Sequence, residues 1–434
     1  METEKILMGQ RQLQRWHVMK MVEVGKITLK EASEKIGVSY RQAKRIGRAM
    51  RERGMKALVH GNRGRPSRWR LAEPLRQRVL ELARGLYKEF NDTHLTEILS
   101  ERKGIELSRE TVRRLRRGVG QEPKRKRRAP RHRKRRERMA QEGAMVLWDG
   151  SPHPWFGEQY PPCCLMAAMD DARGKLLAAR FFPFEGSSGY LWLLKTIVKS
   201  YGIPLVIYHD RHGALHRNDS HWSLEEQLAG RQEPTQVGLA LEALGIGSIA
   251  ALSPQAKGRI ERLFGVLQDR LIAELRLEGI DTIEEANGFL RGFIPRFNRR
   301  FAVRAKDAQK AWREVPRELD LDRMISFRYR SVVGNDNSVR IGGLILDLPP
   351  GPHQRSYAKA EVEVRQLLDG SWRVYHKDRL LARHPSTELR DPVRALGHNR
   401  RIKGASSKQW VYLASAPCLK PLRRSFKGTF SCCS

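Results

Sequence analysis

Apolar residues along the first 53 positions recur at helical spacing, and LQRWHVMKMVEVGKI, TLKEASEKIGV and SYRQAKRIGRAMRERG read as three helices. Thr28 and Ser39 are suited to cap the second and third, and Gly37 breaks the pattern between Ile36 and Val38. This is helix-turn-helix spacing. Residues 39–51 would be the recognition helix, offering Arg41, Gln42, Lys44 and Arg45 to a major groove. A three-helix bundle that never meets DNA would carry the same apolar pattern. A second helical unit spans residues 71–117, and its end, HLTEILSERKGIELSRETVRRLRRG, repeats the logic. There Ser108 caps a helix bearing Arg109, Arg113, Arg114, Arg116 and Arg117.

From residue 144 the period changes. AMVLWDG is an apolar run closing on Asp149. CCLMAAMDDARGKLLAARFFP reads as two strands joined by a turn at 170–174, SGYLWLLKTIVKSYG as an amphipathic helix, and PLVIYHD as a buried strand closing on Asp210. A polar, turn-rich stretch at 212–234 precedes a helix in TQVGLALEALGI and a strand in GSIAAL. SPQAKGRIERLFGVLQDRLIAEL, residues 253–275, follows as one helix, with Ser253 and Pro254 as its start. Ile260, Leu263, Phe264, Leu267, Leu271 and Leu275 form its buried stripe, with Glu261 at the margin and Lys257 one turn earlier on the same face. Strands and helices in this order predict a mixed α/β layer with a central sheet.

Residues 295–316 read as a helical exit. FRYRSVV, SVRIGGLILDLP, AEVEVRQLL and SWRVYHKD are short alternating segments separated by turn signals, which suggests a small β-barrel. Beyond about residue 383 periodicity fades. The fold class expected is therefore multidomain, with all-α helix-turn-helix N-terminal domains, an α/β core and a small all-β C-terminal barrel. The boundaries are 1–60 and 71–120 for the helical domains, 61–70 for a Gly/Pro/Arg linker and 121–143 for a basic tether. The core takes 144–295, a helical connector 296–326, the barrel 327–383 and a disordered tail 384–434.

Charge narrows the partner. A formal net charge of +35 on 434 residues, concentrated in KRKRRAPRHRKRRER at 124–138, points to a polyanion, of which nucleic acid is the commonest. The arginines of GNRGRPSR at 61–68 would suit a minor groove or a flexible joint. No run of about 18 apolar residues suggests a membrane span. The N-terminus has no signal-peptide pattern, so a cytoplasmic, nucleoid-associated protein is expected. Five cysteines fit neither a disulfide framework nor a zinc site.

Asp149 and Asp210 at strand ends, with Glu261 arriving on a helix, can meet at one point, and their mutual repulsion demands a cation. A hard divalent ion, Mg²⁺ or Mn²⁺, is the natural one. Two such ions per site would activate an attacking oxygen and stabilise a leaving one at a phosphodiester. Asp170 and Asp171 have ordinary turn chemistry, His209 and His212 read as orienting or exposed, and Trp148 reads as core, while Trp155 could stack on a base.

VLWDGSPHPWFG, LVIYHDRHG and SPQAKGRIERLFGVLQDRL resemble the three acidic motifs of DDE transposases of bacterial insertion sequences, with a retroviral-integrase-like core and N-terminal helix-turn-helix units. The resemblance covers roughly residues 15–380. It implies a ribonuclease-H-like core, metal-dependent cleavage of double-stranded DNA at terminal repeats, and strand transfer by the freed 3′-hydroxyl. It also implies Asp149, Asp210 and Glu261 as the catalytic and metal-binding triad, and Lys257 against DNA. The 50 residues between Asp210 and Glu261 exceed the family's common spacing, and the excess falls in 212–234 as loop decoration. Work on two DNA ends implies a homo-oligomer. The competing readings are a non-catalytic helix-turn-helix regulator and an RNA-processing protein; the first leaves the three acids unexplained, and the second has no aromatic ribonucleoprotein motif behind it.

Overall fold

Thr28 Oγ1 accepts from the Glu31 N–H at 3.3 Å while the Glu31 carboxylate accepts from the Thr28 N–H at 2.7 Å, a reciprocal cap that starts a helix where the sequence places one. In the computed structural model, residues 8–59, 62, 70–124, 129, 136–217, 221–251, 257–387 and Val411–Leu413 are described. They fall into two units, Met1–Val79 and Leu80–Ser434. All of the linker at 61–68 but residue 62, all of 125–135 in the tether but residue 129, and Ser253 with Pro254 lie outside the described residues, as does nearly all of 388–434.

The first unit holds α1 (Gln10–Glu23), α2 (Leu29–Ile36) and α3 (Tyr40–Arg53). Gly37 takes a left-handed φ of 70° between α2 and α3, and Ser39 caps α3 by accepting from the Gln42 N–H. Val18, Met19 and Ala32 form the centre of its core. The helices approach closely at Gly47, where a Cβ would meet Met19 Cε at 3.0 Å.

α4 (Glu73–Arg84) crosses the boundary, and α5 (Asp92–Lys103) and α6 (Arg109–Gly118) belong to the second unit. A five-stranded sheet follows, made of β1 (Met145–His153), β2 (Cys163–Asp170), β3 (Leu176–Phe182), β4 (Val206–His209) and β5 (Gly247–Ala250), in the order β3-β2-β1-β4-β5. β1, β2 and β3 are antiparallel neighbours, and β4 and β5 run parallel to β1. Between the strands lie α7 (Ser187–Tyr201), α8 (Leu224–Ala229) and α9 (Gln236–Ala243); α10 (Gly258–Leu277) and α11 (Ile283–Phe301) come after β5.

The pleat sorts side chains to two faces. Val146 and Trp148 pack with α7 and α9, whereas Leu147 packs with the stripe of α10 and with α11. All six stripe residues of α10 are buried, each contributing about 1.5–3 kcal/mol. That burial fixes the rotation of α10 about its axis. Edge strand β3 is closed off by α11: Asn298 bridges Leu176 N–H and C=O at 2.8 Å each, and Asn287 does the same to Phe181 at 2.8 and 3.1 Å.

An ion-paired seam joins α5 to α10 and α11. Glu97 takes Arg270 and Arg300, Glu101 takes Arg300 at 2.7 Å, and Glu274 takes His94 at 3.2 Å and Arg296 at 2.9 Å. Arg102 reaches Glu278 at 2.7 Å just beyond α10. The helical unit and the sheet domain are thereby bound together, with Arg270 and Glu274 themselves buried.

Several expectations are corrected. β1 does not close on Asp149 but runs on to His153, because its pairing with β2 continues from Asp149–Ala167 to His153–Cys163. The helix expected at 253–275 starts at Gly258 among described residues. Helix α11 continues through Pro295 and ends at Phe301, after which the chain is irregular up to α12 (Leu321–Met324), so no helical connector fills 296–326. The C-terminal strands β6 (Phe327–Val332), β7 (Ser338–Ile341), β8 (Leu344–Asp347), β9 (Glu361–Gln366), β10 (Trp372–His376) and β11 (Arg379–His384) do not close a barrel. They form one sheet in the order β11-β10-β9-β6 and another of β12-β8-β7, where β12 (Val411–Leu413) is a strand inside the stretch expected to lack order. No helix among the described residues is long and apolar enough to cross a membrane.

Candidate active site

Strands β1 and β4 are paired in parallel only from Met145–Val206 to Leu147–Tyr208, so β1 carries Asp149 past the end of β4. Asp210 follows directly on His209, the last residue of β4. Two carboxylates thus stand side by side at the same edge of the sheet. Alternation puts Asp149 on the side of Leu147, the face that α10 covers. The start of α10 supplies the counterion: Lys257 Nζ lies 2.8 Å from Asp149 Oδ1 and 3.0 Å from Asp210 Oδ2.

Burial dominates the electrostatics. It pushes the Asp149 carboxyl up to about 6 against the pull of Lys257, with Asp210 and Glu185 adding to the rise. Burial acts on Asp210 too, but the His212 N–H, which donates to its Oδ1 at 2.9 Å, and the Lys257 ammonium outweigh it and hold that carboxyl low. Lys257 is desolvated as well, yet the two aspartates raise its affinity for the proton, so it stays charged. One ammonium therefore faces two carboxylates.

Glu185 was not singled out in the sequence. It sits between β3 and α7, accepts from Tyr190 Oη at 2.5 Å, and presses on Gly150 so closely that a Cβ there would collide with it. A signal existed: β3 runs in the same direction as β1 and β4, so an acid just past its end reaches the same edge of the sheet. His209 is an orienting residue, with Nε2 2.7 Å from Ser248 Oγ and its basicity lowered by burial. Trp148 and Trp155 are both fully buried, and Trp155 Nε1 donates to Ser151 C=O at 2.9 Å, which removes it as a stacking platform.

Glu261 is exposed on the first turn of α10. Among the described residues no three His, Cys, Asp or Glu side chains are placed together to hold a metal ion, so Glu261 does not join Asp149 and Asp210 here. Lys257, expected against DNA, is instead buried on the acid pair, 8% exposed. The donor set nonetheless suits a hard cation: two carboxylate oxygens already converge on a positive charge, the Lys257 ammonium, which stands in for one.

Asp170 and Asp171 stand at the β2–β3 turn, as expected, and are fully buried there. Asp170 accepts from the Gly143 and Arg173 N–H groups at 2.9 and 2.7 Å, and burial raises its pKa. Asp171 takes Arg136 at 2.5 Å, the Met139 N–H at 2.8 Å and Arg259 from the first turn of α10. On α3, Arg41, Gln42, Lys44 and Arg45 are all exposed. On α6, Arg109 is exposed, while Arg113 is clamped by Glu110 through two 2.7 Å bonds that hold the Glu110 carboxyl down at about 2. Arg116 is structural: it is buried and donates to Phe90 C=O and Asp92, each at 2.8 Å. The stretch at 212–234 contains α8, capped by Ser223, with Leu224 and Leu228 exposed.

No family model matches the chain. It is 38% identical over 298 residues to a Sinorhizobium fredii (strain NBRC 101917 / NGR234) protein named "Putative transposase y4bF", an alignment covering 69% of this chain and 64% of that protein's length. It is 29% identical over 405 residues to the transposase for insertion sequence IS1202 of Streptococcus pneumoniae, covering 84% of this chain and 85% of the other. Among solved structures, the HTLV-2 integrase catalytic core domain in complex with magnesium matches 34% of this chain and 82% of its own at 16% identity and a TM-score of 0.24. A simian T-cell lymphotropic virus intasome chain, solved with PP2A regulatory subunit B56 gamma, matches 72% of this chain and 100% of its own at 14% identity and a TM-score of 0.29.

Proposed function

We propose that the chain is a DNA transposase that cleaves at its terminal repeats and joins the 3′-ends to target DNA, a reading supported by its likeness to two proteins named as transposases, the first of them matched over 64% of its length. The observation that carries this reading is the meeting of Asp149 and Asp210 at one edge of a mixed sheet flanked by helices on both faces, the layout of a ribonuclease-H-like core. A DNA-binding regulator has no use for two desolvated carboxylates that repel each other.

Asp149 and Asp210 would hold Mg²⁺ or Mn²⁺, two ions per site, with Glu261, exposed on the first turn of α10, as the third ligand. When bound, such ions lower the pKa of an attacking oxygen and neutralise charge on the leaving one. The chain's own residues prepare the site. The His212 N–H keeps Asp210 ionised, Ser248 fixes the His209 ring beside it, and Tyr190 orients Glu185. Arg41, Gln42, Lys44 and Arg45 on α3 would read the major groove, with α2 and α3 as a helix-turn-helix, while Arg109 and Arg113 on α6 would hold phosphates.

The test uses the full chain, Mg²⁺ and a duplex carrying the inverted repeat that flanks the gene. Nicking at the repeat's 3′-end is expected; binding without any cleavage across Mg²⁺ and Mn²⁺ concentrations would favour the regulator. The DNA contacts are tested separately. Arg45→Ala should weaken binding to all sequences and lower the log–log salt slope by about 1 if Arg45 meets a phosphate, whereas a base contact costs about 1–3 kcal/mol on the cognate repeat alone. Filter binding between low and moderate salt distinguishes the two. Light scattering of the complex with paired ends should report more than one chain.

A further inference from the structure

The acid pair holds a cation that comes from the chain itself. Lys257 lies just before the first residue of α10, with φ −91° and ψ 4°, and its side chain gives the helix no cap hydrogen bond. It turns instead onto the two aspartates, where it is nearly enclosed. Lys257 precedes the helix, whose first turn is anchored where Arg259 meets the fully buried Asp171. The long Lys257 side chain can therefore leave the aspartates by rotation about its own bonds while α10 stays in place. The oxygens it covers, Asp149 Oδ1 and Asp210 Oδ2, are also the oxygens that a hard divalent ion would need.

We propose that the Lys257 ammonium and a divalent metal ion compete for Asp149 and Asp210, so that metal loading expels Lys257 into solvent at the mouth of the site. This rests on the reading of those two aspartates as metal ligands. Lys257 is then a positioning residue with two stations. Seated on the acids, it offsets one of their two charges and covers the oxygens a metal would need; released, it is a mobile positive charge four residues before Glu261, where a DNA phosphate would approach. Only the fraction of molecules with Lys257 out binds metal, so apparent metal affinity is reduced by that fraction.

Two measurements on the DNA-free full chain test this. Mn²⁺ binding is followed by the loss of free-ion signal in electron paramagnetic resonance for wild type, K257Q and D149N. Lysine accessibility is followed in wild type by amine acetylation and peptide mass spectrometry, with and without Mn²⁺. The proposal expects K257Q to bind Mn²⁺ about tenfold more tightly than wild type. It also expects Lys257 to pass from protected to labelled as Mn²⁺ saturates, while Lys195, paired with Asp322 at 2.7 Å, stays unchanged. Unchanged or weaker binding by K257Q, with D149N still reducing binding, overturns the competition and leaves the metal-ligand reading intact. Binding indifferent to D149N overturns both. Should K257Q fail to fold, continued protection of Lys257 in wild type at saturating Mn²⁺ overturns the proposal by itself.

Discussion

Asp149→Asn is expected to reduce Mg²⁺-dependent cleavage of the terminal repeat by at least about a thousandfold while leaving repeat binding within a fewfold of wild type. The amide keeps the shape of the carboxylate in β1 but not its charge, and the DNA contacts proposed for α3 and α6 lie on other elements, which the substitution does not touch. Gel assays of binding and nicking on the same duplex check both halves. The reaction should also fail with falling pH, because metal binding needs the ionised carboxylate and burial has raised Asp149 to about 6. The stability sign is the reverse. The fold favours the neutral form, so the stabilisation tied to Asp149 is fully present below the unfolded value near 3.8 and is lost as pH rises through about 6. A permanently neutral Asn should therefore melt no lower than wild type at pH 8 in EDTA, and a large fall in melting temperature would contradict this account of the site.

Asp171→Ala should destabilise the second unit by about 3–5 kcal/mol, the usual consequence of removing one partner from a buried charge network. Three groups lose their acceptor at once: Arg136, Arg259 and the Met139 N–H. Arg259 suffers most, since its side chain is only 14% exposed and has few routes to water. Urea unfolding followed by circular dichroism measures the loss. Asp171→Asn, which keeps an acceptor but no charge, should fall between Ala and wild type. An Ala variant within 1 kcal/mol of wild type would show that water replaces the carboxylate, and that Asp171 does not fix the start of α10.

The central elements were legible because their apolar periods are strong. The stripe of α10, the caps Thr28, Ser39 and Ser108, and Asp210 just past β4 stand where pattern and capping chemistry put them, whereas Asp149 lies within β1 rather than at its end. What escaped has specific physical causes. Asp170 and Asp171 look like turn residues because local sequence cannot reveal that Arg259, 88 positions on, returns to bury one of them. Glu185 carries no motif, and its place at the site follows from strand direction, which no single segment encodes. Lys257 and Glu261 share a helical face in an ideal helix, but α10 begins only after Lys257, so the four-residue spacing does not align them. The expected barrel fails for a related reason: alternation specifies strands, not which edges meet.

The ion pairs that join α5 to α10 and α11, with Arg116 and Arg117 of α6 held by Asp92 of α5, tie α6 to the domain that carries the acid pair. DNA gripped by α6 would then present its backbone to Asp149 and Asp210 at a separation set by protein rather than by the flexibility of a tether. Such a body works as a gauge: the cut would fall a constant number of base pairs from the segment that α6 holds, whatever sequence lies between.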